Sequence, residues 1–244
     1  MKKFLQYLNE QSDNNQYNRI IDYTYLNEKA SIDDIKRICD TAKQNNFYSV
    51  CIRPDFITYA KSFLEGSKVK VCSVIDFPNG KSKTVDRVRE ANKSISDGTD
   101  ERDLVFPYRK LIDISAKAQN KDEYKDLLDN IRQVALTCHK NGVILKVIIE
   151  TCALTFEQIG IACEICVEAG TDFIKTSTGY YKPSNTIDEK LEKVKFIRKI
   201  IPENVEIKVS GGIRTIDDIK LFTRYVDRIG TSSVTGQNDN KGTY

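Results

Sequence analysis

The sequence predicts an α/β fold, a single TIM (β/α)8 barrel, from three observations. The chain has 244 residues, close to the roughly 250 that are typical of one such barrel. Short runs rich in β-branched residues alternate with amphipathic, charged segments, which indicates repeated βα units around a parallel sheet. Polar residues interrupt four of the apolar runs near their ends, where barrels carry their chemistry. These residues are Asp103, Lys146, Lys175 and Lys208.

Eight of the apolar runs are predicted to be strands, because each is short, rich in β-branched residues and bounded by polar or turn-forming residues. They cover residues 20–24, 49–53, 69–75, 103–106, 143–150, 173–176, 205–209 and 228–230. Eight strands can also build an open, doubly wound sheet, and periodicity alone does not separate the two folds. The polar strand ends favour the closed barrel.

Seven amphipathic segments between these strands are predicted to be helices. They cover residues 31–44, 55–65, 83–96, 121–140, 155–168, 188–200 and 216–222. Ser31 and Thr155 stand where a hydroxyl can accept a free backbone N–H, and Gly170 follows a helix where a left-handed residue is favoured. No linker divides the chain, so we expect one domain over residues 1–244, with a flexible polar tail over residues 235–244.

The composition excludes several classes of protein. Hydrophobic residues make up 40% and charged residues 30% of the chain, which are ordinary values for a globular protein. The net charge of +3 comes from 38 basic and 35 acidic residues spread along the chain, so no basic stripe for nucleic acid stands out. The amino terminus lacks the apolar stretch of a signal peptide or membrane anchor. We expect a cytoplasmic protein with neither a nucleic-acid partner nor a membrane partner.

The cysteines predict free thiols and no metal site. There are seven, an odd number, and several lie in apolar runs, where a thiol packs as a small hydrophobe. Cys163 and Cys166 form one CxxC pair, but there is no second pair and His139 is the only histidine. A structural zinc ion needs four such ligands.

Lys175 follows Phe173 and Ile174 in a strand that should be buried, and a lysine is rarely buried without a partner. A salt bridge inside the barrel would explain it, and so would a strand end that emerges into solvent. The functional alternative is a partly dry site in which the amine loses its proton and attacks a carbonyl carbon. The pattern alone favours the structural explanations.

Lys208 repeats this arrangement on the next predicted strand, so the two lysines are expected to converge. Two ammonium groups about 6 Å apart repel each other by roughly 3 kcal/mol at an effective dielectric constant near 20. This repulsion favours loss of one proton but does not decide which lysine becomes neutral. Gly211 and Gly212 follow the seventh strand, and residues 230–233 follow the eighth, where barrels often bind a phosphate group.

Several segments, in this order, resemble the deoxyribose-phosphate aldolase family over nearly the whole chain. The most specific is Lys175-Thr-Ser-Thr-Gly179. The others cover residues 22–24, 26–27, 51–54, 74–80, 103–109, 145–151, 169–174, 208–214 and 230–233. The resemblance implies reversible cleavage of 2-deoxy-D-ribose 5-phosphate to D-glyceraldehyde 3-phosphate and acetaldehyde. It also implies a homodimer that needs neither a metal nor an organic cofactor.

The resemblance assigns roles to individual residues. Lys175 matches the lysine that forms the Schiff base, and Lys208 matches the second lysine, which favours the neutral form of that amine and transfers protons. Asp103 matches a carboxylate that works with Lys208 and a water molecule in proton transfer. Tyr244 matches a carboxy-terminal tyrosine that assists proton transfer at C2 in some members, with a disordered end as the alternative. Lys146 is expected to extend this polar network or to pair with Glu150.

The resemblance also predicts a set of substrate contacts. Most are positions that hold the phosphate group, chiefly through main-chain N–H groups. The predicted contacts are Asp22, Thr24, Thr178, Gly179, Gly211, Gly212, Arg214, Ser232 and Ser233. Tyr180 departs from the pattern, because some members carry a phosphate-binding lysine there, and Lys182 stands nearby in sequence to compensate.

Two other functions fit parts of the pattern. A Schiff-base aldolase for a longer sugar phosphate needs the same lysine. A barrel that has lost catalysis and only senses a phosphorylated metabolite needs the phosphate site alone, but the presence of Asp103, Lys175 and Lys208 argues against it.

Overall fold

Eight parallel strands close into a barrel in the computed structural model, which describes residues 16–116 and 121–233. Each strand is hydrogen-bonded to the next one in sequence, and β8 pairs with β1. The strands are β1 (Ile21–Tyr25), β2 (Ser49–Ile52), β3 (Lys70–Ile75), β4 (Glu101–Val105), β5 (Ile144–Ile148), β6 (Phe173–Lys175), β7 (Glu206–Ser210) and β8 (Arg228–Thr231). The barrel and all eight predicted strands are therefore confirmed, with ends shifted by one or two residues, and the open sheet is wrong.

Eight α-helices connect the strands in the described residues. They are α1 (Ile32–Asn45), α2 (Ile57–Phe63), α3 (Thr84–Ser96), α4 (Tyr108–Ala116), α5 (Lys121–His139), α6 (Phe156–Ala169), α7 (Ile187–Ile200) and α8 (Ile216–Phe222). Short 3-10 turns cover Asn18–Ile20, Pro54–Phe56 and Thr151–Ala153. None of the helices in this part of the chain is long and apolar enough to cross a bilayer.

Side-chain caps set the starts of several helices. Ser31 and Thr155 each accept the backbone N–H of the third helical residue, whose side chain in turn binds the cap's own N–H. Thr186 and Thr215 form the same reciprocal pair at α7 and α8. Gly170 ends α6 at φ 81°, a left-handed conformation that suits a residue without Cβ. The three predicted cap residues are confirmed.

One helix was not predicted. Helix α4 is nine residues long, too short for a clear amphipathic period, and it begins directly after Pro107. Its buried residues Tyr108, Leu111 and Ile114 are three apart, which is the spacing that could have revealed it. The chain therefore has two consecutive helices, α4 and α5, between β4 and β5.

Strand β4 begins two residues before the predicted position. The run Glu101-Arg-Asp103 carries three charges, which on sequence grounds resembles a loop. In the barrel these residues pair with β3 and β5 and are almost completely buried. Charge burial of this kind needs partners close by. The barrel interior supplies them for Glu101 and Asp103, whereas Arg102 donates to the backbone oxygen of Val74 and lies 4.0 Å from Glu90 of α3.

The apolar core lies mainly between the strands and the surrounding helices. A second, small apolar cluster contains Leu26, Cys51, Cys72 and Val74. Most of the remaining buried polar and charged side chains come from the strands themselves or from the loops that follow them. The fold thus surrounds a charged interior with an apolar shell.

Candidate active site

Strand register orients the predicted catalytic residues into the barrel interior. Asp103 of β4 is the register partner of Lys146 on β5, and Lys175 of β6 is the partner of Lys208 on β7. Alternate residues of a barrel strand point inward, so these four side chains meet in the interior. Lys175 is 3% exposed, whereas the other three are fully buried.

The Asp103 carboxylate is the centre of the cluster. Its Oδ2 accepts hydrogen bonds from Nζ of Lys175 and Nζ of Lys208, each at 2.8 Å. Its Oδ1 accepts one from Lys146 at 3.1 Å and one from the Cys72 thiol at 3.2 Å. Burial alone would raise the pKa of Asp103, but the three lysines outweigh it and hold this pKa well below its usual range. Asp103 is therefore an ionised acceptor at neutral pH.

Lys208 is held by two carboxylates. Besides Asp103, its Nζ contacts Oδ2 of Asp22 at 2.5 Å. Burial alone would lower the pKa of Lys208, but Asp103 and Asp22 raise it above its usual range. Gly230 gives the side chain room, since a Cβ there would lie 3.1 Å from Cε of Lys208. Lys208 thus remains charged in the folded protein.

The sequence-based estimate left open which lysine becomes neutral, and the ion pairs distinguish them. Within 4 Å, Lys146 contacts three carboxylates, Lys208 contacts two and Lys175 contacts only Asp103. Burial alone would lower the pKa of Lys146, but Asp103 and other negative groups raise it well above its usual range. Lys175 is the least restrained of the three amines and the only one with measurable exposure.

A second layer of charges lies below this cluster. Glu101 contacts Lys146 at 2.6 Å and Arg228 at 3.1 Å, and Arg228 also contacts Asp22 at 2.9 Å. The guanidinium of Arg228 stacks on the Tyr48 ring, 3.3 Å from its centroid. Three carboxylates thus face four cations, which leaves one excess positive charge.

Sequence reasoning missed Glu101 and Arg228. Glu101 is two residues before Asp103, so the period of a strand already places both on one face. Arg228 begins an apolar strand, the same signal that identified Lys175. The predicted alternative pairing of Lys146 with Glu150 is wrong, because Oε2 of Glu150 instead accepts the backbone N–H and hydroxyl of Thr178.

Three glycines shape a cavity beside the lysine cluster. Gly179 follows β6, Gly211 and Gly212 follow β7, and their φ angles are 87°, 83° and 79°. They line a cavity of about 60 Å³. A Cβ on Gly211 would lie 3.3 Å from Cβ of Ser177 and 3.5 Å from Cα of Gly179, so the two loops approach closely.

Other predicted phosphate contacts are placed differently. The side chain of Arg214 lines the cavity, but its backbone N–H donates to Asp218 as part of the α8 cap. The backbone N–H of Ser233 donates to the hydroxyl of Thr231. Ser232 and Ser233 directly follow β8 and do not line the cavity. The phosphate contacts of Arg214, Ser232 and Ser233 therefore stay predictions.

Two further predicted contacts are buried threonines whose hydroxyls are hydrogen-bonded within the protein. Thr24 donates to the backbone oxygen of Asp22 at 2.9 Å, and Thr178 is engaged with Glu150. The hydroxyl of Tyr180 donates to the backbone oxygen of Leu26, and Tyr180 does not line the cavity. The exposed Lys182 does line it. Tyr244 and the predicted tail lie outside the described residues.

Within residues 16–116 and 121–233, two groups of thiols and carboxylates come close enough to hold a metal ion, and both lie inside the charged cluster. One contains Cys51, Cys72 and Asp103, and the other contains Asp22, Cys72 and Glu101. Their carboxylates already contact lysine or arginine side chains, and these positive charges repel a further cation. The donor set is thus better suited to ammonium groups than to a metal. Cys163 and Cys166 are free and buried on α6.

Comparisons with known proteins point to one family. The family model described as DeoC/LacD family aldolase matches residues 17–232. The chain is 42% identical over 214 residues to the deoxyribose-phosphate aldolase of Dictyoglomus turgidum, covering 87% of this chain and 91% of that one. It is 40% identical over 225 residues to that of Treponema denticola, covering 90% and 99%. Its fold is similar to the tetrameric deoxyribose phosphate aldolase of Aeropyrum pernix, with TM-score 0.78, 25% identity and coverage of 91% and 88%.

Proposed function

Since the chain belongs to the DeoC/LacD family of aldolases, we propose that it cleaves 2-deoxy-D-ribose 5-phosphate reversibly into D-glyceraldehyde 3-phosphate and acetaldehyde. The curated relatives that cover most of the chain carry the name deoxyribose-phosphate aldolase. The observation that carries the proposal is the shared contact of Lys175 and Lys208 with Oδ2 of Asp103, at 2.8 Å each. A buried amine beside a second ammonium and a carboxylate is suited to imine chemistry.

In the proposed reaction, the unprotonated amine of Lys175 attacks C1 of the open-chain sugar. Loss of water gives a protonated imine, which draws electrons from the neighbouring carbon atoms. A base removes the proton of the C3 hydroxyl, the C3 oxygen becomes a carbonyl and the C2–C3 bond breaks. The bonding electrons form an enamine on Lys175, and glyceraldehyde 3-phosphate leaves. Protonation at C2 and hydrolysis of the imine then release acetaldehyde and restore the amine.

Asp103 and Lys208 are the residues best placed to move these protons. Asp103 is an ionised acceptor within hydrogen-bond distance of both lysines. Lys208 holds a proton that it can pass along the same carboxylate or to a water molecule. The role of Tyr244 in protonation at C2 remains a prediction. Exchange of the acetaldehyde C2 protons in heavy water tests it, because the exchange should be slower with the Tyr244→Phe variant than with the wild type.

The glycine loops supply the other half of the site. Residues 175–179 connect the reactive amine to Gly179 through only three residues, so a group bound in the glycine cavity lies close to Lys175. Backbone N–H groups in positive-φ turns are suited to an anion such as a phosphate. An anchored phosphate would hold the aldehyde carbon within reach of the amine.

Borohydride trapping tests the proposal. Incubation with acetaldehyde or 2-deoxyribose 5-phosphate, followed by reduction, should add a stable mass to the peptide that contains Lys175. Lys175→Arg keeps a positive charge beside Asp103 but forms no such adduct, and the exposed Lys36→Arg serves as the control that still traps. Labelling at another lysine, or cleavage of fructose phosphates in preference to deoxyribose 5-phosphate, would contradict the assignment.

We also propose that the protein acts in the cytoplasm as a homodimer. The family resemblance supports both statements, although the relative from Aeropyrum pernix is a tetramer. Light scattering of the purified chain distinguishes a dimer from a tetramer by mass, and fractionation of the producing cell locates the activity.

A further inference from the structure

Lys190 carries a buried amine that no function described above uses. It lies in the first turn of α7 and is 1% exposed. Its Nζ has no hydrogen-bond partner among the described residues. Burial of an unpaired ammonium is unfavourable by several kcal/mol, so a lysine at this position calls for a charge-bearing partner.

The amine of Lys190 faces the glycine cavity. It lines the same space as Gly179, Gly211, Gly212 and Arg214. A cavity of about 60 Å³ holds several water molecules, or an anion of similar size. Helix α7 thus contributes an amine to the lining that the glycine loops also form.

An ion pair with Glu150 would be a structural explanation for the buried amine of Lys190, but the geometry does not support such a pair. Glu150 also lines the cavity, and its Oε1 is unpartnered in the described part of the chain. No ion pair joins its carboxylate to Lys190 within 4 Å, because Oε2 accepts from Thr178, while Oε1 and the Lys190 amine both lack a hydrogen-bond partner among the described residues. Burial raises the pKa of Glu150, against the effect of its hydrogen bonds from Thr178.

We propose that Lys190 binds the phosphate group of the substrate from α7 and supplies the charged contact that Tyr180 cannot. Tyr180 is an aromatic residue whose hydroxyl is bound to Leu26, and its side chain does not reach the cavity. Lys182 and Arg214 also line the cavity but are exposed to solvent, where charge contacts are weaker. The inference rests on the proposed function for the identity of the substrate, but not for the binding of phosphate itself.

The electrostatics of the cavity agree with this role. Burial lowers the pKa of Lys190, and nearby Cys152 and Glu150 only partly oppose the effect. A phosphate dianion in the cavity would favour the charged amine and so bind more tightly than to an exposed lysine.

The Lys190→Met variant tests the proposal with two substrates. Loss of one charged hydrogen bond to phosphate should raise KM for 2-deoxyribose 5-phosphate about 10- to 100-fold and leave kcat within a few-fold. The slow cleavage of unphosphorylated 2-deoxyribose should be unchanged, because that substrate makes no phosphate contact. Lys199→Met, at an exposed position of the same helix and outside the cavity lining, is the matched control, with a change in KM of a few-fold at most.

Inorganic phosphate separates this inference from the proposed function. Addition of phosphate should raise the melting temperature of the wild-type chain and of Lys199→Met, and should have little effect on Lys190→Met. The effect of phosphate on the melting temperature tests Lys190 even if the wild type fails to cleave deoxyribose 5-phosphate, because it measures binding and not catalysis. Without phosphate, Lys190→Met should melt at or above the wild-type temperature. If Lys190 instead stabilised the fold by pairing with Glu150, the melting temperature of the variant would be lower than that of the wild type.

Two results would overturn the assignment. One is an equal loss of activity with the phosphorylated and unphosphorylated sugars. The other is a phosphate-dependent rise in melting temperature that Lys190→Met retains in full.

Discussion

Lys175 and Lys208 are register partners on adjacent strands, and their amines share one carboxylate oxygen, Oδ2 of Asp103. Each amine lies 2.8 Å from that oxygen, so the two cannot be farther apart than twice this distance. The carboxylate offsets part of their mutual repulsion, which the sequence-based estimate did not include. Because Asp22 also holds Lys208, the two lysines experience different surroundings.

Removal of the Lys208 charge should impair imine formation. In Lys208→Leu, Asp103 keeps Lys175 and Lys146 as its cations, and the excess positive charge of the cluster disappears. The charged form of the Lys175 amine is then favoured, so half-maximal imine formation should require a higher pH. We expect kcat/KM to fall about 100-fold or more, since a proton carrier is also lost. Borohydride trapping as a function of pH measures the shift, and an unchanged profile would contradict the electrostatic role.

Loss of Arg228 should destabilise the fold. The Arg228→Met substitution leaves Asp22 and Glu101 with fewer cations in a buried site, where breaking an ion pair costs about 3–5 kcal/mol. Urea denaturation measures this difference in the free energy of unfolding. Arg89→Met is the control, because the Arg89–Asp86 pair is largely exposed and should contribute less than about 1 kcal/mol. Equal effects of the two substitutions would refute the importance of the buried layer.

The Asp22→Asn variant should show a pH-dependent loss of stability. Burial alone would raise the pKa of Asp22, but Lys208 and Arg228 hold it well below its usual range. A lowered pKa means that the carboxylate stabilises the folded state fully above about pH 4, and this contribution declines as the pH falls towards the folded-state pKa. The difference between wild type and variant in urea denaturation should therefore be large at pH 7 and smaller at pH 3. If the difference in the free energy of unfolding grew as the pH fell, the predicted direction of the pH dependence would be wrong.

Gly211→Ala should weaken phosphate binding. Gly211 has φ 83°, and a Cβ there would press on Ser177 and on Cα of Gly179, which would push the two loops apart. We expect KM for deoxyribose 5-phosphate to rise about tenfold, from loss of one or two backbone hydrogen bonds. Gly160→Ala is the matched control.

Gly160 lies inside α6 with no atom within 4 Å of an added Cβ, so its replacement by alanine should stabilise the helix by up to about 1 kcal/mol. It should leave KM unchanged. Steady-state kinetics and thermal melting of both variants provide the comparison, and a normal KM for Gly211→Ala would show that the loops have room to adjust.

Local patterns in the sequence were sufficient for most of the fold. The alternation of short β-branched runs with amphipathic segments predicted all eight strands and seven of the eight described helices. Failures occurred where local signals conflict with burial. The charged run at Glu101 resembles a loop although it is the start of β4, and the short helix α4 has too few turns to show a clear period.

The sequence by itself determined the barrel, the placement of Lys175, Lys208 and Asp103 in its strands, and the glycine turns, because strand period and turn chemistry are local properties. Only the tertiary structure decided how the charges pair. Arg228 and Asp22 are 206 residues apart in the chain and meet because β8 closes onto β1. Packing of α7 on the barrel also placed Lys190 in the glycine cavity. Such contacts depend on distances between elements, which no local pattern encodes.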